Sequence, residues 1–135
     1  VNDELTKLFL HIRDFGEKLF SEKNICFRAF DEVKEHIKLS PGFSREANLI
    51  FKEAMTNSFK YSEARNVTLS LRHSGEGFEM SFEDDGIGFS VPPAAKSNGI
   101  RNIAERAEKI GSVLHIDSER DQGTRITLNF KLTLN

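Results

Sequence analysis

Residues 65–88, RNVTLSLRHSGEGFEMSFEDDGIG, alternate apolar and polar positions on either side of a glycine turn. Val67, Leu69 and Leu71 form the apolar set of the first run, and Phe78, Met80 and Phe82 that of the second. A period of two belongs to a strand with one buried face. Ser74-Gly75-Glu76-Gly77 between the runs has the chemistry of a hairpin turn. The stretch therefore predicts two antiparallel strands whose shared apolar face needs a cover. It ends in Asp84-Asp85-Gly86-Ile87-Gly88, a strand end running into a glycine turn.

The cover is predicted on both sides of the hairpin. Upstream, Ser40-Pro41-Gly42 has the turn and start chemistry of a helix that runs to about Ser62. Asp31 to Leu39 reads as polar and irregular. Asn24 to Phe30 has the aromatic and β-branched content of a strand, and Cys26 within it is expected to be a buried thiol. The first segment is helical, with Leu5, Leu8, Ile12, Phe15 and Leu19 at steps of three and four. Its spacing also resembles a heptad seam, but one too short to assert a coiled coil. Gly16 weakens that helix by about 1 kcal/mol relative to alanine. Two readings stand: a helix packed on its own domain, or the end of a longer helix entering from a preceding one. The expected division is 1–22 as linker or end of a dimerisation helix, and 23–135 as the main domain. Downstream, Phe89 to Asn98 is a loop containing Pro92-Pro93. Gly99 to Ile110 is a helix with Ile100, Ile103, Ala104, Ala107 and Ile110 on one side and Gly111 as its stop. Val113 to Asp117 and Thr124 to Leu134 are strands joined by a turn at Glu119 to Gly123. The sum is an α+β, two-layer sandwich with a mixed, mostly antiparallel sheet covered on one face by helices.

Composition narrows the function. The 135 residues are 30% charged and 38% hydrophobic with a net charge of −2, which is globular and offers no basic field for nucleic acid or membrane. One cysteine and no leader pattern point to a reducing, cytoplasmic setting. The chain opens on a helical pattern without Met and is expected to be a piece of a longer protein.

On the helix from Gly42 to Ser62, Glu53, Asn57 and Lys60 stand at i, i+4 and i+7, within a stripe about 60° wide. Phe43, Ala47, Ile50, Phe51, Ala54, Met55, Ser58 and Phe59 form the apolar arc beside it. The Asn57 amide oxygen is a hard donor suited to Mg²⁺, Glu53 can orient a metal-bound water or act as a base, and Lys60 can meet a phosphate. A solvated helix edge is the plain alternative. Asp84 at a strand end can accept from the exocyclic amine of adenine, a match that guanine does not offer. Gly86 and Gly88 allow the backbone to approach a flat ring. Gly99 stands at the start of a helix whose free N–H groups and positive dipole suit a triphosphate. Arg101 and Asn102 lie in the same turn; Arg106 and Lys109 read as surface charges, with Glu105 pairing to Arg101 and Lys109. The Thr124 hydroxyl, at the start of the last strand, can reach the adenine pocket.

In this order and on these elements, the chain resembles the ATP-binding catalytic domain of sensor histidine kinases, within the group that includes gyrase, certain chaperones and mismatch-repair ATPases. The resemblance covers about residues 22 to 134. Its motifs are Glu53, Asn57 and Lys60 (the asparagine box), Asp84-Asp85-Gly86-Ile87-Gly88 (the first glycine box), and Asn98-Gly99-Ile100-Arg101-Asn102-Ile103-Ala104-Glu105-Arg106-Ala107 (the second). The second box with Gly123-Thr124 is most similar to the short-lid subgroup that pairs with response regulators carrying helix-turn-helix output domains. Ser97 stands where the second box often has a glycine, and Gly111-Ser112 where two glycines are common.

The resemblance implies a Bergerat-type ATP-binding fold and, as cofactors, ATP and Mg²⁺. It implies that Asn57 holds the metal, Lys60 contacts phosphate and Asp84 binds the adenine amine. Gly86, Ile87 and Gly88 then shape the base pocket, with Thr124 beside them, and Gly99 and Ile100 open the phosphate-side helix. Glu53 matches the water-activating acid of the hydrolysing relatives, whereas in a kinase the nucleophile is a histidine from another domain. Of the four histidines, His11 is followed by Ile12 and Arg13 rather than by the acid that the family's acceptor histidine carries, His36 falls in an irregular polar stretch, and His73 and His115 lie on or beside strands. The implied partners are a histidine-bearing dimerisation domain of the same homodimeric parent and a response-regulator receiver domain, with no nucleic acid and no direct membrane contact. The competing readings are a free-standing anti-sigma-type serine kinase and a non-catalytic ATP-binding module.

Overall fold

The computed structural model describes residues 4–88 and 98–131. Helix α1 spans Leu5–Ser21, strand β1 Cys26–Asp31, helix α2 Pro41–Tyr61, β2 Asn66–Ser74, β3 Gly77–Asp84, helix α3 Asn98–Lys109, β4 Val113–Ser118 and β5 Thr124–Phe130. The strands form one sheet in the order β1-β2-β3-β5-β4. Strand β1 runs parallel to β2 and every other pairing is antiparallel. The mixed sheet covered on one face is the architecture the patterning predicts. The last strand ends at Phe130, short of the expected Leu134, and residues 132–135 lie outside the described part, as do 89–97 of the expected loop.

Register explains which face is covered. Leu69, Phe82, Ile126 and Ile116 stand in one row across four strands, and Leu71, Met80, Leu128 and Leu114 in the next. Leu69, Leu71, Met80 and Leu128 are fully buried beneath the helices. Helix α2 begins where predicted: Ser40 accepts the Phe43 N–H at 3.1 Å and Pro41 sits in the first turn. Its Phe43, Ala47, Ile50, Phe51, Ala54, Met55 and Ser58 are buried.

Helix α1 contributes Leu5, Leu8, Phe9, Ile12 and Phe20 to the same core. The Phe20 ring stacks on Phe27 and on Phe82, tying the helix to the sheet. Gly16 has a packing reason as well as a propensity cost: a Cβ there would come within 2.5 Å of the Phe27 ring. Ile12 is wholly buried, so Ile12→Ala is expected to lower the stability of the whole chain by about 2–5 kcal/mol, read as a shifted urea midpoint. An unchanged midpoint would mean that α1 is not part of the cooperative unit.

Two expectations are corrected. Cys26 is exposed, not buried. Parallel pairing sets Phe27 against Val67, so the inward parity of β1 falls on Phe27 and Ala29 and turns Cys26 outward. The stretch from Asp31 to Leu39 is irregular as read, yet it buries Val33, Ile37 and Leu39 and bridges back to α1 through Glu4 and Lys38. Among the described residues, no helix is long and apolar enough to cross a membrane.

Candidate functional site

At one end of the covered face the apolar rows stop. The next row across the same four strands is Val67, Asp84, Thr124 and Ser118. A carboxylate and two hydroxyls therefore replace the hydrocarbon at the sheet's end, and Asp84 is only 8% exposed. Its Oδ1 accepts the Gly86 N–H at 2.9 Å, which fixes the carboxylate in place. Its Oδ2 has no hydrogen-bond partner among the described residues. Ser118 and Thr124 share a hydroxyl contact of 2.8 Å, and Ser118 donates to the Gly123 carbonyl at 3.1 Å.

The glycine turn that follows Asp84 is held from two sides. Ile87 donates its N–H to the Ser62 carbonyl at 2.7 Å, at the C-terminal end of α2. Asp121, in the β4–β5 turn, donates to the Ile87 carbonyl at 2.6 Å. Gly86 lies against the Ser62 carbonyl and Gly88 against those of Glu119 and Gly123, with no room for a side chain. Ile87 itself is 43% exposed, an apolar surface at the rim.

Asp85 does different work from its neighbour. Its Oδ1 accepts the N–H groups of Arg65 and Asn66 at 2.8 and 3.0 Å, and its Oδ2 accepts the Asn66 amide at 2.8 Å. Partial desolvation pushes its pKa up, but the bonds from Asn66 and Arg65 outweigh this and hold it below the usual carboxylate range. It clamps the start of β2 to the end of β3.

The second half of the arrangement is between helices. Glu53 and Asn57 are half-buried on α2 and Lys60 is exposed. None of the three makes a hydrogen bond or ion pair among the described residues. Helix α3 packs along α2, and its first turn brings Gly99 against Asn57. A Cβ at Gly99 would stand 2.5 Å from the Asn57 Nδ2 and 3.0 Å from its Oδ1. As Asn57 stands, a side chain at Gly99 would displace its amide, so the N-terminal end of α3, the positive end of its dipole, adjoins Asn57. Ile100 follows, half-buried.

The structure thus gathers the named residues into two groups. Asp84, Gly86, Ile87, Gly88 and Thr124 meet at the sheet end, and Asn57 meets Gly99. An open depression of about 360 Å³ takes in Asp84, Gly123, Thr124, Ile116 and Ser118 but not Glu53, Asn57, Lys60 or Gly99. Sequence reading did not anticipate Ser62, Asp121 or Ser118, because partners of this kind are chosen by long-range packing. It also misassigned Arg106, whose Nη1 bonds Glu46 of α2 at 2.9 Å, while no ion pair of Glu105 occurs among the described residues.

The donor chemistry fits a magnesium nucleotide. Asn57 offers a hard amide oxygen, and Glu53 a carboxylate one turn away. Among the described residues there is no group of three or more histidine, cysteine or carboxylate side chains able to hold a metal, so a cation here would draw on Asn57, Glu53 and the phosphates.

Known proteins resemble this chain in sequence and in fold. Residues 42–134 match the family model described as histidine kinase-, DNA gyrase B- and HSP90-like ATPase. The sensor protein VraS of Staphylococcus saprophyticus is 30% identical over 142 aligned positions, which cover 96% of this chain and 41% of VraS. VraS of Staphylococcus aureus gives the same identity and coverage. The chain therefore spans about two fifths of the length of these relatives. Among solved structures, the histidine kinase domain of a blue-light-activated histidine kinase from Erythrobacter litoralis superposes with a TM-score of 0.73 at 18% identity, covering 93% of this chain and 61% of that one. The histidine kinase AdeS of Acinetobacter baumannii gives 0.78 at 10% identity, covering 97% of this chain and 66% of that one.

Proposed function

Because the chain belongs to the family of histidine kinase-, DNA gyrase B- and HSP90-like ATPases, we propose that it binds ATP with Mg²⁺ and donates the γ-phosphoryl group to a histidine on a separate dimerisation domain of the same parent protein. The observation that carries the reading is the polar end row, in which the buried carboxylate of Asp84 stands beside Thr124 on an otherwise apolar face. In this reading Asp84 takes the adenine amine through Oδ2. Gly86, Ile87 and Gly88 form the wall against which the base lies. Asn57 and Glu53 hold the cation side of the phosphates, Lys60 meets a phosphate oxygen from the exposed edge, and the first turn of α3 at Gly99 and Ile100 faces the phosphate chain. Bound Mg²⁺ would neutralise the charge that develops on the transferred phosphoryl group.

The chain supplies the phosphoryl donor and not the acceptor. His36 lies in the irregular segment before α2 and His73 on strand β2, so neither stands on a helix as the family's acceptor does. The parent is proposed to be a homodimeric two-component sensor, this domain its cytoplasmic part, with a response-regulator receiver domain as the next recipient.

The test is calorimetry with a non-hydrolysable ATP analogue, with Mg²⁺ and with EDTA, followed by labelling from γ-³²P-ATP in the presence of the parent's helical domain. Magnesium-dependent binding and an acid-labile, alkali-stable phosphate on that domain are expected. An acid-stable phosphoserine would instead mark a serine kinase of the anti-sigma type, and absence of binding a non-catalytic module.

A further inference from the structure

Glu46 is a carboxylate inside a helix–helix interface. It is 7% exposed, in the second turn of α2, where the neighbouring core positions are Phe43, Ala47 and Ile50. Arg106 of α3 bonds its Oε1 at 2.9 Å, and Arg45 reaches its Oε2 at 3.4 Å. The Arg106 bond, helped by Arg45 and by the charge of Lys109, outweighs burial and holds the carboxyl below its ordinary range, so it is ionised at neutral pH. Glu46 is buried while Arg106 is 31% exposed, and replacing a buried ion pair with well-packed apolar side chains is often neutral for a fold. Stability alone therefore gives little reason for a charge here, whereas register does: an ion pair fixes one spacing between the helices, and an apolar seam allows several.

The position of the pair says which register. Glu46 and Asn57 are eleven residues apart on α2, which returns to within about 20° of the same face about 16 Å along the axis. Gly99 and Arg106 are seven apart on α3, again within about 20° and about 10 Å along. The two helices thus touch at two points on one seam, Gly99 on Asn57 and Arg106 on Glu46, with Ile103 and Ala107 buried on the same helix; the contacts lie about 6 Å farther apart on α2 than on α3, a difference the Arg106 and Glu46 side chains span. The chain directions along the seam are opposed. A slip of α3 by one turn toward its own N-terminus, about 5.4 Å, would carry its first turn off Asn57 and keep an apolar contact, but would add to that span and part the pair.

We infer that Glu46 and Arg106 are a positioning pair for the nucleotide site, holding the phosphate-facing start of α3 in register with Asn57. The inference rests on the proposed ATP site and adds to it a residue pair that touches no ligand. The pair acts on the phosphate end only, because Asp84 and Thr124 are carried by the sheet.

That asymmetry supplies the test. The full chain, its Glu46→Gln and Arg106→Met variants, the charge-exchanged double variant Glu46→Arg/Arg106→Glu and the apolar double variant Glu46→Leu/Arg106→Leu are titrated with a non-hydrolysable ATP analogue plus Mg²⁺ and with adenosine. Thermal melts of each accompany the titrations. Each single variant and the apolar pair are expected to lose about tenfold in affinity for the triphosphate while adenosine binding stays within about twofold. The charge-exchanged pair is expected to recover most of the loss. The apolar pair is expected to melt no lower than wild type, which separates register from folding. Equal loss for both ligands, or unchanged triphosphate affinity in the apolar pair, would overturn the inference. Failure of the wild-type chain to bind either ligand would remove the site reading itself, a result the variants cannot mimic.

Discussion

Asp84→Asn is expected to lower the affinity for ATP by about a hundredfold or more while the variant folds and melts close to wild type. The side chain is 8% exposed, and its Oδ1 is already engaged by the Gly86 N–H at 2.9 Å. An asparagine can keep that acceptor bond, so the turn at Gly86 to Gly88 stays built. It then places an NH₂ group where Oδ2 stood. The adenine amine also donates, and two donors would face each other beneath the bound base. Losing a hydrogen bond to a charged group costs about 1.5–3 kcal/mol, and leaving buried donors unpaired costs about 1–3 kcal/mol more. Together these amount to two or more orders of magnitude in the dissociation constant. Calorimetry on the variant reads the affinity and a thermal melt reads the fold. An unchanged affinity would remove Asp84 from the site.

The largest loss of stability is expected from Gly123→Ala. Gly123 has a φ of 82°, in the left-handed region, and a Cβ there would run into the Asp84 carbonyl oxygen and stand 3.1 Å from its carbon. Strain for an L residue there is about 1–2 kcal/mol. Forcing atoms into a closed contact adds about 1–3 kcal/mol, and here the obstacle is strand backbone that cannot rotate away. The expected total is about 3–5 kcal/mol, a large part of a small domain's margin. Gly111 provides the control. Its φ is 64°, but nothing lies within 4 Å of a built Cβ, so Gly111→Ala is expected to cost only the strain, about 1 kcal/mol. Urea denaturation of both variants separates the two terms. Equal midpoints would mean that the β4–β5 turn does not press on the end of β3. The same substitution is also expected to weaken nucleotide binding, since the displaced carbonyl belongs to Asp84.

Much of this was legible in the sequence where the physics is local. The hairpin at 65–84 announces itself by period two and a glycine turn, and α2 by Ser40-Pro41 and a broad apolar arc. Gly111 closes α3 as read: the Ser112 N–H returns to the Ala107 carbonyl and that of Gly111 to Glu108. What escaped was decided at a distance. Cys26 and Phe27 are neighbours of equal strand propensity, and only the pairing of β1 with β2 says which turns inward. Val33, Ile37 and Leu39 share no period, so nothing local marks them as buried. Asp84 and Asp85 are the same residue type in adjacent positions, yet one faces the site and the other closes on Arg65 and Asn66. Glu46 and Arg106 are 60 residues apart, and the i, i+4 rule drew attention to Glu105 instead.

The order of the strands sets a schedule for synthesis. Strand β5 lies between β3 and β4, so until residues near Phe130 have left the ribosome, β3 has an open edge carrying Met80 and Phe82. The Ile87 carbonyl waits for Asp121 and the Asp84 backbone for Gly123 during the same interval. A nascent chain that has completed α1 to α3 therefore holds Asn57, Lys60 and Gly99 without a finished seat for the base. On the proposed site, nucleotide would be captured only after β5 is inserted, so its occupancy would report that the sheet is complete.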